Sequence, residues 1–244
     1  MYISAFKMDG LGNDFVIIDQ RNQNINLSKS QIIKICDRNF IGCDQLILIN
    51  NSTTVDASLE FFNSDGSLSG ACGNGSRCVA DLLSKQNNKK EIVLSTSSGI
   101  LKSNILDNNL VETNIGIPKT NWEEIPLSEN LNTKNLKLKI LDKNNKEHIG
   151  GTAVNVGNPH VIFFLQNIEN FNLKNIGPEI ENHELFPEKC NITLAEILNK
   201  NLIKVKVWER GAGLTKACGT AACATAVAGN INGLTEKITD IEFD

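Results

Sequence analysis

The sequence predicts an α+β fold of two pseudo-symmetric domains, each a curled, mostly antiparallel sheet (an open barrel) around one central helix. Three observations predict it. A thirteen-residue stretch occurs twice, as Phe62-Asn63-Ser64-Asp65-Gly66-Ser67-Leu68-Ser69-Gly70-Ala71-Cys72-Gly73-Asn74 and, 146 positions later, as Trp208-Glu209-Arg210-Gly211-Ala212-Gly213-Leu214-Thr215-Lys216-Ala217-Cys218-Gly219-Thr220. An earlier pair, Gly12-Asn13-Asp14-Phe15-Val16-Ile17 and Gly157-Asn158-Pro159-His160-Val161-Ile162, keeps an offset of 145. Such a period fits only twice into 244 residues, which means a duplicated domain rather than a solenoid. Strand-like runs outnumber helical ones in both halves. Finally, each copy of Ala-Cys-Gly opens a helix-like segment.

Taken in order, short runs rich in Ile, Val, Leu and Phe between polar turns predict strands at Tyr2 to Met8, Phe15 to Asp19, Leu46 to Ile49, Ala57 to Phe62, Ile92 to Ser95, Ile100 to Ile105 and Leu110 to Asn114. In the second half they fall at Gly151 to Val156, Val161 to Leu165 and Ile203 to Trp208. Ser28 or Ser30 can cap a helix running to Asp37 with Ile32, Ile33 and Ile35 on its apolar side. Asn74 to Lys85 and Thr220 to Gly229 read as the two central helices, and a further helix is expected near Asn172 to Glu181. The polar turns between Pro118 and Gly150 predict a first domain over 1–118, a linker or boundary over 119–150, and a second domain over 151–244. The closing segment Ile238 to Asp244 alternates like a strand with no turn or partner after it. The second half is therefore expected to lack strands that the first half places after its cysteine helix.

At 41% apolar residues the chain can bury a sizeable core in domains of roughly 120 residues each. A formal charge of −4, with Lys and Arg dispersed, argues against a nucleic-acid surface. No apolar run approaches a membrane span, and the N-terminus has no basic region followed by an apolar one. The seven cysteines are odd in number and dispersed, which fits thiols in a cytoplasmic protein that acts on a small molecule. The pairs Cys72 with Cys78 and Cys218 with Cys223 lack the two-residue gap of zinc knuckles, so no metal is expected.

The repeated cysteines carry the chemistry. A thiol ordinarily titrates near ~8.5, and the N–H groups and dipole of a helix start favour its thiolate. The glycine after each cysteine allows close approach of a bound anion, and the following N–H groups can cradle a carboxylate. Two such units facing one another across a cleft would place a sulfur on each side of one α-carbon, which suits stereoinversion by one base and one acid. With no cofactor as electron sink, the carboxylate-binding N–H groups must stabilise the carbanion.

In these residues the chain resembles the diaminopimelate epimerase family, from Met8-Asp9-Gly10-Leu11-Gly12-Asn13-Asp14-Phe15 to Ala217-Cys218-Gly219-Thr220-Ala221-Ala222-Cys223-Ala224. The resemblance implies that Cys72 and Cys218 are the base and acid pair, exchanging roles with reaction direction. Gly73, Asn74, Gly219 and Thr220 then match the nest around the reacting carboxylate. Asn13, Gln45, Asn63, Asn158, Asn191, Glu209 and Arg210 match substrate-holding positions, and His160 and Glu209 match positions that tune the cysteines. The family acts without a cofactor, on 2,6-diaminopimelate, usually as a homodimer. This chain departs from the family at Ala221, where glycine is usual, at Leu214, where an acid is usual, and after Phe243, where a further strand pair is usual.

Plainer readings stand beside these. A single cysteine before an Ala-rich helix is commonly a small core residue, and Cys36, Cys43, Cys78, Cys190 and Cys223 keep that reading. His160 suits a satisfied core histidine, and Asn13 and Asn158 suit turns. Glu209 and Arg210 could form a surface ion pair, although Gly211 and Gly213 favour a ligand-facing loop. Three functions therefore stay open: the epimerase, a related cysteine-pair racemase of proline or hydroxyproline, and a thiol redox or zinc-binding protein.

Overall fold

Leu11 and Gly12 both adopt positive φ, 59° and 78°, the backbone that a tight hairpin between right-twisted strands requires. They join β1 (Phe6–Gly10) to β2 (Asn13–Asp19) and so place Asn13 at the first position after the turn. This computed structural model describes residues 3–23, 25–70, 72–108 and 110–243, so Tyr2 at the start of the first expected strand, Ala71 of the repeat and the final Asp244 lie outside the described residues. The chain divides into two units, split between Gly116 and Ile117.

In the first unit, α1 (Lys29–Cys36) starts at Ser28 through a reciprocal capping box with Gln31. It connects β2 to β3 (Gln45–Asn50), which pairs with β2 in parallel. Next come β4 (Ala57–Asn63), antiparallel to β3, the short β5 (Leu68–Ser69), and the central helix α2 (Gly73–Asn87). The helix leads to β6 (Glu91–Thr96), parallel to β4, and then to β7 (Gly99–Ile105) and β8 (Val111–Asn114) in antiparallel succession. Strands β2 and β3 are apolar on both faces because each face is covered. Phe15, Ile17, Ile47 and Ile49 pack with Val79 and Leu83 of α2, whereas Val16, Ile18, Leu46 and Leu48 pack with Ile32, Cys36 and Cys43. Gly75 shows how closely α2 approaches the sheet: a Cβ there would lie 2.7 Å from Ile47 Cδ1 and 3.1 Å from Phe61.

The second unit begins before its main sheet. A hairpin of β9 (Leu138–Leu141) and β10 (Glu147–Gly150) stands apart from the sheet, and Ile125, Leu127, Leu136, Leu138 and Ile140 are all buried in this unit's core. Residues 119–150, expected as a linker, thus pack as part of the second unit. Its sheet contains β11 (Thr152–Asn155), antiparallel to β12 (Pro159–Phe164), followed by a 3-10 turn and α3 (Leu173–Glu181). Then come β13 (Asn191–Asn199), parallel to β12, β14 (Leu202–Glu209), and the short β15 (Gly213–Thr215). The central helix α4 (Gly219–Ile231) buries Ala221, Ala224, Thr225, Ala228 and Gly229, a face small enough for close approach to the sheet.

One expectation is corrected here: Asn191 opens a nine-residue strand that the sequence reading did not assign. The closing segment, expected to be strand-like with no partner after it, forms β16 (Asp240–Phe243) and pairs in parallel with the preceding β14, from Leu202 with Asp240 to Val205 with Phe243. The two units then share one plan: hairpin, crossover helix, parallel strand, antiparallel strand, short strand, cysteine helix, parallel strand. Among the described residues no helix is long and apolar enough to cross a membrane.

Candidate active site

Cys72 and Cys218 occupy the same backbone position in their units. Each is the N-cap of its central helix, with φ −139° and ψ 114° in one and φ −139° and ψ 115° in the other. Each helix then starts on glycine, Gly73 or Gly219. The first intrahelical bonds run from Ser76 N–H to the Cys72 carbonyl at 2.8 Å and from Ala222 N–H to the Cys218 carbonyl at 3.0 Å. The N–H groups before them, including those of Asn74 and Thr220, have no acceptor in the helical ladder. This is the anion-favouring end that the chemistry needs.

Around Cys72 the sheet register assembles amides. Phe15 pairs with Gln45, and Gln45 with Asn63, so the latter two lie side by side across β3 and β4. Gln45 Nε2 donates to Asn63 Oδ1 at 3.0 Å, and Asn63 Nδ2 donates to Ser67 Oγ at 3.1 Å. Gln45 Oε1 is buried with no hydrogen-bond partner among the described residues, an acceptor suited to an ammonium donor. Cys72 Sγ donates to Asn13 Oδ1 at 3.6 Å, while Asn13 Nδ2 donates to Asp44 Oδ2 at 2.9 Å. Asp44 therefore sets which end of the Asn13 amide meets the thiol. Sequence reading passed over Asp44, and its position beside Gln45 in Gly42-Cys43-Asp44-Gln45 was the signal. Neighbouring Asp14 is held well below the usual carboxylate range, first by Arg38 and then, against the opposing effect of burial, by Lys7. Asn74 is buried and accepts a hydrogen bond from Arg77.

Around Cys218 the partner is a charge instead. Cys218 is 6% exposed, and its thiol donates to Glu209 Oε2 at 3.0 Å, with Thr220 Oγ1 at 3.3 Å. Burial, then the Glu209 charge, pushes this thiol far above its ordinary range, while Thr220 and the Ala221 N–H pull weakly the other way. At rest the Cys218 thiol is thus held in its protonated form.

His160 has no exposed surface, and its Nε2 lies 2.9 Å from Asn158 Oδ1. Burial, then the Arg210 charge, lowers its pKa to about 3, so the ring is neutral and fixes the Asn158 amide. Asn191, expected among the substrate-holding residues, is 2% exposed and commits its amide to backbone: Nδ2 donates to the Pro159 carbonyl at 2.8 Å, and Oδ1 accepts from Arg210 N–H at 3.0 Å. Arg210 is exposed and donates through Nη1 to the Glu188 carbonyl at 2.8 Å. Within each unit, then, the expected residues do converge: Asn13 on Cys72, Glu209 and Thr220 on Cys218, His160 on Asn158, and Asn191 on Arg210.

A pH test follows from His160. Its neutral form stabilises the native state fully above the ordinary value of 6.5, and that contribution fades as pH falls toward about 3, because only the unfolded chain takes up the proton there. Calorimetric melting of native protein and His160→Gln is expected to show the native form losing stability faster, by about 1.4 kcal/mol per pH unit in this window. Parallel curves would show that His160 does not contribute.

A model of the family described as diaminopimelate epimerase matches residues 5–120 and 152–244. A diaminopimelate epimerase of Pelagibacter ubique is 75% identical over 243 residues, covering 100% of this chain and 89% of that one. The chain belongs to the diaminopimelate epimerase family. Another diaminopimelate epimerase, from Acidiphilium cryptum, is 41% identical, with 98% of this chain and 84% of the relative covered. Of the three functions left open by the sequence, family membership selects the first, and with it an isomerase. Residues 121–151, which hold β9 and β10, lie outside the matched segments. In fold, the chain is similar to a hydroxyproline epimerase from Agrobacterium vitis, with TM-score 0.64 and 12% identity over 95% of this chain and 78% of that one. It is also similar to a methylitaconate-delta-isomerase, with TM-score 0.55 and 13% identity over 95% and 81%.

Proposed function

We propose that the protein interconverts LL- and meso-2,6-diaminopimelate by a cofactor-independent, two-thiol mechanism, as a cytoplasmic homodimer serving lysine and peptidoglycan-precursor synthesis. The observation that carries this reading is the matched N-cap geometry of Cys72 and Cys218, each followed by glycine, in a member of this family. In one direction of the reaction, the Cys72 thiolate takes the α-proton and the Cys218 thiol, held on Glu209, supplies the new one. Negative charge then grows on the substrate carboxylate. The N–H groups of Gly73, Asn74, Gly219 and Thr220 are the donors that answer it.

The remaining residues hold the substrate's ends. Arg210 supplies a cation for a carboxylate, and the amide oxygens of Asn13, Gln45, Asn63 and Asn158 are acceptors for ammonium groups. Asn191 acts through the Arg210 backbone, and His160 through Asn158. Because productive enzyme needs one thiol protonated and the other ionised, turnover should follow a bell-shaped pH profile.

Incubation of the protein with LL-diaminopimelate in deuterium oxide, under reducing conditions and without added cofactor, is expected to place deuterium at one α-carbon. Mass spectrometry reads the incorporation. Absence of exchange would overturn the reading.

A further inference from the structure

We infer that Glu181 is a positioning residue that sets the substrate affinity of Arg210 from the far side of its loop, an inference that rests on the proposed role of Arg210. Glu181 is the last residue of α3 and only 6% exposed. A carboxylate at a helix C-terminus faces the negative end of the dipole, and burial adds a further cost unless donors meet the charge. Donors do meet it. Oε2 accepts from Trp208 Nε1 at 2.7 Å, Oε1 accepts from Gly211 N–H at 3.0 Å, and Lys189 Nζ lies 3.9 Å from Oε1.

These contacts bracket one residue. Arg210 N–H is held by Asn191, and the next N–H, that of Gly211, is held by Glu181. Gly211 has φ 74° and turns the chain between β14 and β15, a place where backbone freedom is otherwise high. Trp208 lies against α3 itself, since a Cβ on Gly177 would come within 2.3 Å of the indole. Glu209, by contrast, is still inside β14 and pairs with Gly213 of β15. Glu181 therefore governs where Arg210 stands, while Glu209 and Cys218 are held by the sheet and by α4. Its loss should act on binding of the substrate's charged end and leave the proton transfers nearly intact.

The test is Glu181→Gln. The glutamine oxygen can serve one donor, but its –NH2 must then oppose the other N–H, so the anchor is broken without a change of volume. Epimerisation is expected with KM about tenfold higher and kcat within about twofold of native. Adding Trp208→Phe removes the opposed indole N–H, and the double variant is expected to recover most of the KM. A kcat reduced in proportion to a lost folded fraction, with KM unchanged, would mean that Glu181 serves stability alone and would overturn the inference. So would a double variant worse in KM than Glu181→Gln. Native protein is assayed alongside: its failure to turn over would refute the proposed function. The anchor is then read without turnover by amide hydrogen exchange at Gly211, expected to be at least about tenfold faster in Glu181→Gln, and unchanged exchange would overturn the inference in that case too.

Discussion

Replacing either Cys72 or Cys218 with alanine is expected to abolish epimerisation, lowering the rate at least about 10³-fold, within the range that a positioned acid or base contributes. A stereoinversion needs both a proton acceptor and a proton donor, and neither sulfur can do the other's work within one turnover. The residual chemistry should be informative. With Cys218→Ala, the Cys72 thiolate can still remove the α-proton, lose it to solvent as a thiol proton, and return a deuteron to the same face, so slow deuterium exchange with retention of configuration is expected from one diastereomer only. Polarimetry or chiral chromatography with mass detection separates the two outcomes. Near-native turnover by either variant would rule out a two-thiol mechanism.

The second large effect is expected at Glu209. Its carboxylate accepts the Cys218 proton at 3.0 Å and, after burial, is the main reason that the thiol resists ionisation. Glu209→Gln removes that charge and leaves the burial, so the Cys218 pKa must fall without returning to the ordinary range. In a Cys72→Ala background, which isolates the second thiol, iodoacetamide should alkylate Cys218 about tenfold or more faster at a given pH, since the thiolate is the reacting species. In the otherwise native enzyme, the alkaline limb of the pH profile should move to lower pH. An unchanged alkylation rate would show that the carboxylate does not govern the thiol.

Much of this architecture was legible in the sequence because its signals are local. The repeated Ala-Cys-Gly marked both central helices to within a residue or two of α2 and α4, and the Ile and Val runs marked β2, β3 and β12, which are buried on both faces. What was missed depends on distant partners. β13 begins Asn191-Ile192-Thr193, a poor strand signal alone, yet it is buried because β12 and β14 flank it. The hairpin of β9 and β10 lies among Lys and Asn residues that look like linker, and only every second residue of Leu138 to Ile140 turns inward. β16 could be paired only once β14 was known to have an edge to offer.

The site divides in the same way. Cysteine positions followed from the duplication, whereas the hydrogen-bonding consequences of Asp44 and Glu181 did not. Asp44 lies 31 residues from the Asn13 that it orients, and Glu181 lies 30 from the Gly211 that it holds. No spacing rule connects such pairs before the fold does. His160 and Asn191 were named from the sequence, but only the fold shows that both are buried and bonded to neighbours, His160 through Nε2 to Asn158 and Asn191 to the backbone of Pro159 and Arg210.

The likeness of the two units in strand order and in N-cap geometry is what fusion of two copies of an ancestral unit would leave behind. In an assembly of separate identical subunits, any change beside one sulfur is repeated beside the other. Carried on a single polypeptide, the copies are released from that constraint, and here they have used the freedom: one thiol rests on the amide of Asn13, the other on the carboxylate of Glu209. The descendants now meet their sulfurs with different groups while keeping an inherited frame.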